Sequence, residues 1–451
     1  MLATLACLAA TQAVGPFNLR GRFVDLAPEG VAWGSALPGV LSTVTIESGK
    51  VTGPAEFKLA ANRWTGPCAL KLANLSYANG TLTCSPSLTN GSGKDLTGVR
   101  FDIVSATETY EGKDKDGKPV MMTRSMAVAE DSPILFGEMP AGTDAGGFSI
   151  QATGLGWKPE TRKIEVQVQT SGFTFQRQLF KDHTNCHVAT DRKGRLLIGS
   201  GQVGTIYRAN PDNGEIESVG TVPDYRVSFA VDPTTGNLAA SWMGANKFKL
   251  LGPGGDEIAE IPQADGEPGR TGWAGDCAFD ELGRLYLNFG TSLARFKGST
   301  MTEVVPPPAD ITDWGIIRFA VEGKGTVYLA NRSTVYRIGE DGKSKKVLFG
   351  PDWRPGRLHG VDAIWIDKAT QTLYVGSDHE SGYYARVDAF DLNGKYRFTL
   401  GRGNTKPNEA AERWDGQILA PVSGVVSPNG TLFVGVYDTY AGVMEYSPIR
   451  P

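Results

Sequence analysis

The chain has 451 residues, room for two or three domains at a prior of roughly 150 residues each, and two large units fit best. Its 57 glycines, about 13% against a usual level of roughly 7%, follow no Gly-X-Y period and no low-complexity runs, which excludes collagen and points to many tight turns. Lys plus Arg total 45 against 49 for Asp plus Glu, so the net charge of -4 leaves no basic field for phosphates and excludes nucleic acid as the expected partner.

The first charged residue is Arg20, and Leu2 to Ala13 form an apolar run too short to span a bilayer. Residues 1–13 read as the hydrophobic part of a signal peptide ending in small residues, with cleavage near Ala13 and without the usual basic start. Cys7 leaves a second reading open, that of a lipoprotein cysteine, although Thr4-Leu5-Ala6 is a poor acylation signal. No later segment is long and apolar enough to cross a membrane, so the expected location is secreted or periplasmic, with surface attachment open.

Residues 22–170 show period-two strands with turn punctuation: Ser42-Thr-Val-Thr-Ile, Gly98-Val-Arg-Phe-Asp-Ile-Val, Gly147-Phe-Ser-Ile-Gln-Ala and Lys163-Ile-Glu-Val-Gln-Val. The pattern predicts a β-sandwich. Cys68 and Cys84 bracket two segments able to pair as a hairpin, and in an oxidising compartment they are expected to form a disulfide. Asp114-Lys-Asp-Gly117 starts like a calcium loop but lacks the closing glutamate, so it reads as a surface turn. The segment Leu88-Thr-Asn-Gly-Ser-Gly-Lys-Asp-Leu-Thr-Gly-Val-Arg100 resembles the strand-turn-strand of bacterial immunoglobulin-like modules on exported proteins. That resemblance implies a spacing, docking or adhesive role.

From residue 172 onward a repeat takes over. An apolar strand, then Asp-x-x-Gly-x-Leu-aromatic-apolar, recurs at Asp191-Arg-Lys-Gly-Arg-Leu-Leu-Ile, Asp280-Glu-Leu-Gly-Arg-Leu-Tyr-Leu, Glu322-Gly-Lys-Gly-Thr-Val-Tyr-Leu and Ser427-Pro-Asn-Gly-Thr-Leu-Phe-Val. Looser copies start at Asp232 and Asp367, giving a step of about 47 residues, the length of a four-stranded blade. Six copies predict an all-β, six-bladed β-propeller over 172–448. Its last blade runs out of chain after three strands, so the alternating segment 173–180 is expected to supply the fourth and close the ring.

These repeats resemble the NHL family of propellers and the wider group that includes gluconolactonase-like and peptidyl-hydroxyglycine lyase propellers. Such folds host binding, scaffolding and several hydrolytic or lyase chemistries, so the resemblance implies fold more sharply than function. The lyase propellers hold zinc with histidines from different blades, which implies such a part for His187 and His359; this sequence offers no third histidine in register. The gluconolactonase-like pattern calls for a glutamate and asparagines around calcium, and neither stands in register.

The residue four before each motif position falls at one expected height in the funnel: His187, Ser228, Asp276, Arg318, Ala363 and Ser423, with His359 and Asp362 on the approach to blade 5. A ring of histidine, aspartate and arginine can bind a metal, a carboxylate or a polar ligand, and ordered water satisfies the same groups in a mouth with no ligand. His187, His359 and Asp276 are the candidate metal ligands, for calcium or zinc. Tyr225, Trp273, Trp314, Trp353 and Trp414 each precede an inner strand, either as stacking platforms for sugars and peptides or as packing between blades. The long connection from Gly401 to Gln417 is placed to cover the same face.

Gly199-Ser-Gly-Gln-Val-Gly204 matches a dinucleotide fingerprint but leads into Thr205-Ile-Tyr-Arg, a strand, so it is expected to be a turn. His379-Glu380 lacks the second histidine of a zinc protease. Cys186 and Cys277 read as buried thiols. The expected function is that of an exported bacterial binding or scaffolding protein whose funnel face takes a protein or polysaccharide. Two alternatives stand beside it: a metal-dependent hydrolase or lyase of the propeller type, and a structural subunit of a cell-surface assembly.

Overall fold

The repeat folds because each motif aspartate supplies acceptors for the turn it opens. In the computed structural model of the chain, Asp191 Oδ1 accepts the amides of Lys193 at 2.9 Å and Arg195 at 3.0 Å, and Gly194 turns the chain at a φ of 75°. Asp280 repeats this with Leu282 and Arg284, both at 2.9 Å, and Gly283 at 73°. Where the motif departs, the chemistry is replaced in kind. Ser427 donates to Asn429 Oδ1 at 2.5 Å, which accepts the Thr431 amide at 3.0 Å. Burial alone would raise the Asp191 carboxyl, but hydrogen bonds from Arg195 and Lys193 outweigh it and hold the group below its usual range.

The structure describes strand backbone at 19–22, 40–47, 50–52, 56–58, 67–78, 81–89, 134–139, 144–145, 150–153 and 162–169, and residues 96–126, with side chains from 107 and 109–123. It further describes residues 171, 173–181, 183, 186–199, 203–211, 213, 215–223, 227–242, 247–262, 276–288, 293–305, 308, 317–331, 334–349, 358, 360–377, 385–400, 418, 421–438 and 441–448. The chain divides into two compact units, Met1–Thr174 with Ile449–Pro451, and Phe175–Pro448.

The second unit is an all-β, six-bladed propeller built from six four-stranded sheets. The first strands of the blades are His187–Thr190, Ser228–Val231, Cys277–Phe279, Ile317–Glu322, Val361–Asp367 and Pro421–Val426. Each touches the next and the sixth touches the first, so they form the inner ring. The core lies between blades. Leu197, Ile206 and Val219 of blade 1 pack on Phe229, Leu238 and Leu251 of blade 2, and Leu329 and Val327 of blade 4 pack on Tyr286 and Leu293 of blade 3. Leu196–Gly199 and Thr205–Ala209 are the second and third strands of blade 1, and Gly204 before the third turns the chain at a φ of 62°; residues 200–202 of the glycine string lie outside the described residues.

Blade 6 is completed by Phe173–Leu179, outermost beside Ala441–Pro448, as the alternation over 173–180 predicts. Arg177 Nε meets Glu445 Oε2 at 2.7 Å, and Phe175 packs edge-on against Tyr446 at 5.7 Å between ring centroids. Phe180 leaves the strand at a φ of 52°. The seam passes so close to Gly442 that a Cβ there would lie 2.1 Å from the Phe180 carbonyl oxygen and 2.2 Å from that of Leu179.

The strands of the first unit lie in two six-stranded sheets. One has the order Leu19–Arg22, Ile150–Thr153, Thr81–Thr89, Pro67–Ala78, Glu56–Lys58, with Asp144–Ala145 also on Thr81–Thr89. The other runs Lys50–Thr52, Val40–Glu47, Arg162–Gln169, Leu96–Lys113, Pro119–Met126, with Ile134–Met139 also on Leu96–Lys113. Thr81–Thr89 and Leu96–Lys113 therefore belong to different sheets. Asp114 to Lys118 form the expected surface turn, in which Asp114 Oδ1 accepts the amides of Asp116 and Lys118.

The disulfide expectation fails on register. Pro67–Ala78 and Thr81–Thr89 do pair as a hairpin, but with Ala69 opposite Thr89 and Ala73 opposite Ser85. Cys68 and Cys84 thus sit about six residues apart along the ladder, roughly 20 Å at about 3.3 Å per residue, far beyond the ~7 Å that a disulfide can bridge.

Blade 5 holds a buried ion pair, Arg386 Nε to Asp388 Oδ2 at 2.8 Å, with side chains 3% and 0% exposed. Thr399 donates its hydroxyl to Asp388 Oδ1, and Tyr396 lies 2.6 Å behind Thr399.

Two variants test these constraints. Gly442→Ala forces the closing seam apart and is expected to cost about 2 kcal/mol, read as a thermal midpoint lowered by roughly 4–8 °C; an unchanged midpoint would show that the seam yields freely. Asp388→Ala strands the Arg386 charge in the interior and is expected to cost about 3–5 kcal/mol in urea titration.

Candidate functional site

Closure of the ring brings four of the predicted positions into contact across blade boundaries, in two pairs. His187 Nε2 lies 3.4 Å from Ser228 Oγ, and the His187 ring packs against Phe229 at 5.2 Å between centroids. Arg318 Nη1 reaches Asp276 Oδ1 at 3.4 Å, and Arg318 Nε donates to the Asp362 carbonyl oxygen at 2.8 Å. Ser423 Oγ accepts the Val188 amide at 2.8 Å and approaches the Cys186 carbonyl oxygen at 3.4 Å. Four blade-to-blade junctions are thus joined by these polar contacts: 1 to 2, 3 to 4, 4 to 5 and 6 to 1.

Asp362 enters through its backbone carbonyl, because a register shift between Val361 and Ala363 falls at this residue. Ser423, 7% exposed, serves the seam between the last and first blades, and Ala363 is fully packed at 1%. His359, Trp273, Trp314, Trp353, Trp414 and Tyr225 lie outside the described residues, as do His379 and residues 401–417. Among the described residues no three of His, Cys, Asp and Glu are grouped to hold a metal; of the candidate ligands, His187 and Asp276 are described and His359 is not.

Burial dominates the electrostatics of the ring. It pushes the His187 ring down to about 4, and the charge of Arg318 adds to the effect. Burial raises the Asp276 carboxyl, with Arg318 opposing. At neutral pH His187 is therefore an uncharged imidazole, and its Nδ1, buried, has no hydrogen-bond partner among the described residues. Such an orphaned nitrogen calls for water, a ligand or a metal. Two of the five N–H donors of Arg318 are used by Asp276 and Asp362, so the guanidinium keeps donors for a carboxylate or other polar oxygen.

Cys277 is a member of this site that its position before the second strand did not announce. Its thiol donates to the Ala239 carbonyl at 3.3 Å, and burial, then the Asp276 charge, push it up against a hydrogen bond from Ser228. Burial likewise pushes Cys186 up to about 12, so neither thiol is a nucleophile at neutral pH.

No family model and no curated protein matches the chain. Among solved structures it resembles a streptogramin B lyase, with 13% identity and a TM-score of 0.40, and the WD40 β-propeller domain of Doa1, with 12% identity and a TM-score of 0.43. Each likeness covers 61% of this chain and 97% of the other. Likeness at this level carries no argument about chemistry, and the blade count rests on the six sheets of this chain.

The depressed His187 value has a measurable consequence. An unfolded histidine takes up a proton near pH 6.5, whereas the folded ring refuses it until about 4. Stability present above pH 6.5 is therefore expected to fall as pH drops through that window, by at most about 3 kcal/mol. His187→Gln should remove this part of the slope in urea titrations at pH 7.5 and 5; an identical slope in both proteins would show that the ring titrates normally.

Proposed function

We propose that the chain is an exported protein, secreted or periplasmic, in which an NHL-type propeller binds a protein or polysaccharide through its funnel mouth. An immunoglobulin-like sandwich in residues 22–170 spaces or anchors it, and surface attachment fits the same role. The observation that carries this reading is the ring itself. It combines a fixed guanidinium at Arg318, a carboxyl at Asp276, a hydroxyl at Ser228 and a neutral imidazole at His187 with an unmatched nitrogen. Such a set orients a polar ligand by several weak contacts and carries no activated nucleophile. Trp273, Trp314, Trp353 and Trp414 would add stacking surface around the mouth.

A metal-dependent hydrolase or lyase is the second reading, favoured by one feature: a neutral histidine with an unsatisfied ring nitrogen is ready to coordinate zinc or calcium-bound water. His359 and Asp276 would complete the ligand set, and the ion would lower the pKa of a bound water.

Binding to glycan arrays and to envelope proteins, compared for wild type, His187→Ala and Arg318→Ala at matched melting temperature, tests the first reading. Loss of a retained ligand in either variant by tenfold or more, about 1.4 kcal/mol, supports the funnel; ligands held equally by all three proteins would place binding elsewhere. Elemental mass spectrometry on wild type and on His187→Ala with His359→Ala decides the second. A stoichiometric metal lost in that double variant would put the enzyme first.

A further inference from the structure

In each antiparallel blade the turns after the first and third strands lie at the end away from the funnel mouth. On that face, between blades 1 and 2, runs an open groove of about 390 Å³. Leu197, Val219, Leu238 and Pro253 give it an apolar floor, and Arg192, Lys193, Arg195 and Arg208 stand around it. Among the described residues Asp191 is the single carboxylate in the lining and is already engaged, with Arg195 Nη2 at 2.6 Å and Arg208 Nε at 3.5 Å. Glu217, outside the lining, takes Arg208 Nη1 at 2.9 Å. Arg192 and Lys193 have no ion-pair partner among the described residues, although the chain as a whole carries a net charge of -4.

The cations are not required by the turn they occupy. The two positions after the motif residue read Arg192-Lys193 in blade 1, but Pro233-Thr234, Glu281-Leu282, Gly323-Lys324, Lys368-Ala369 and Pro428-Asn429 in the others. The turn works through the aspartate and the glycine in either case. Arg192 is held across the blade junction: its Cδ and Cγ lie 3.2 and 3.7 Å from where a Cβ on Gly236 would stand, and Gly236 has a φ of 82°. Glycine there meets both the backbone requirement and the space that the Arg192 stem occupies.

We propose that this groove docks an acidic peptide segment of a partner protein, an aliphatic side chain resting on Leu197, Val219 and Leu238 and flanking carboxylates meeting Arg192 and Lys193. Charge complementarity selects the acid. Among the described residues the lining contains no aromatic ring and no Asn or Gln, groups that commonly recognise sugars, so a peptide fits it better than a polysaccharide. The site shares no residue with the funnel and stands or falls apart from it.

The test uses the full chain on an array of octapeptides built from Glu, Asp, Leu, Val and Ala, with the hits measured by fluorescence anisotropy. Saturable binding is expected. Arg192→Ala with Lys193→Ala should weaken it about tenfold or more, and Arg192→Glu should do the same, at unchanged melting temperature. Raising the salt should weaken binding of the wild type and have less effect on the double variant. His187→Ala and Arg318→Ala should leave it intact, which separates a failure here from a failure of the funnel reading. Absence of saturable binding, or equal binding by the double variant, overturns the proposal. So does polygalacturonate bound as tightly as the best peptide with the same dependence on Arg192 and Lys193, which would assign the groove to an acidic polysaccharide.

Discussion

Everything in the propeller depends on closing the ring. A four-stranded blade has two apolar faces, and each is covered only by a neighbouring blade, as the clusters between blades 1 and 2, 2 and 3, 3 and 4, and 6 and 1 illustrate. An open array would leave one face of its first and last blades in water and an unpaired strand edge at each end. The chain avoids both by laying Phe173–Leu179 against Ala441–Pro448, so residues more than 250 positions apart become neighbours across one sheet. The absence of a side chain at Gly442 lets that seam come together, and the pair Arg177 to Glu445 fastens its outer surface.

The same closure makes the site. The first strands of neighbouring blades lie side by side, and so His187 meets Ser228 and Asp276 meets Arg318 across blade boundaries. The geometry also divides the labour. Ser423 spends its hydroxyl on the Val188 amide at the last junction, which belongs to closure rather than to recognition. Arg318 does both, since its contact with the Asp362 carbonyl ties blade 4 to blade 5 while its charge helps hold His187 neutral.

The fold was legible in the sequence because its determinants are local. An aspartate that caps its own turn and a glycine at positive φ act within five residues, so each blade announces itself, and the missing strand of the last blade points back to 173–180. That His187 neighbours Ser228 and Asp276 neighbours Arg318 follows from the same count back from the turn. Other partnerships were not legible. A bulge at Asp362 presents its backbone carbonyl to Arg318, and the register of Pro67–Ala78 on Thr81–Thr89 separates two cysteines that close spacing had paired. The groove beside Arg192 was hidden because it joins the Asp191 turn to Gly236 and Pro253 of the next blade, and read along the chain its cations look like an ordinary solvated turn.

The two ends of the propeller differ in what their backbone leaves to the side chains. At the turn end, hydrogen bonds accepted by the motif residue satisfy the backbone amides locally, so substitutions that keep the aspartate and glycine are free to alter surface charge without disturbing the blade. At the mouth, the first strands carry groups that burial has shifted from their solution behaviour, a neutral His187 and a raised Asp276, and Arg318 is the charge common to both. Any ligand that neutralises Arg318 would therefore release His187 toward protonation and Asp276 toward its neutral form together, because one guanidinium biases both. A ligand bound at the mouth as proposed would thus move both groups in the same direction, whereas one bound at the turn end, where Asp191 is held ionised by its own loop, would respond to salt.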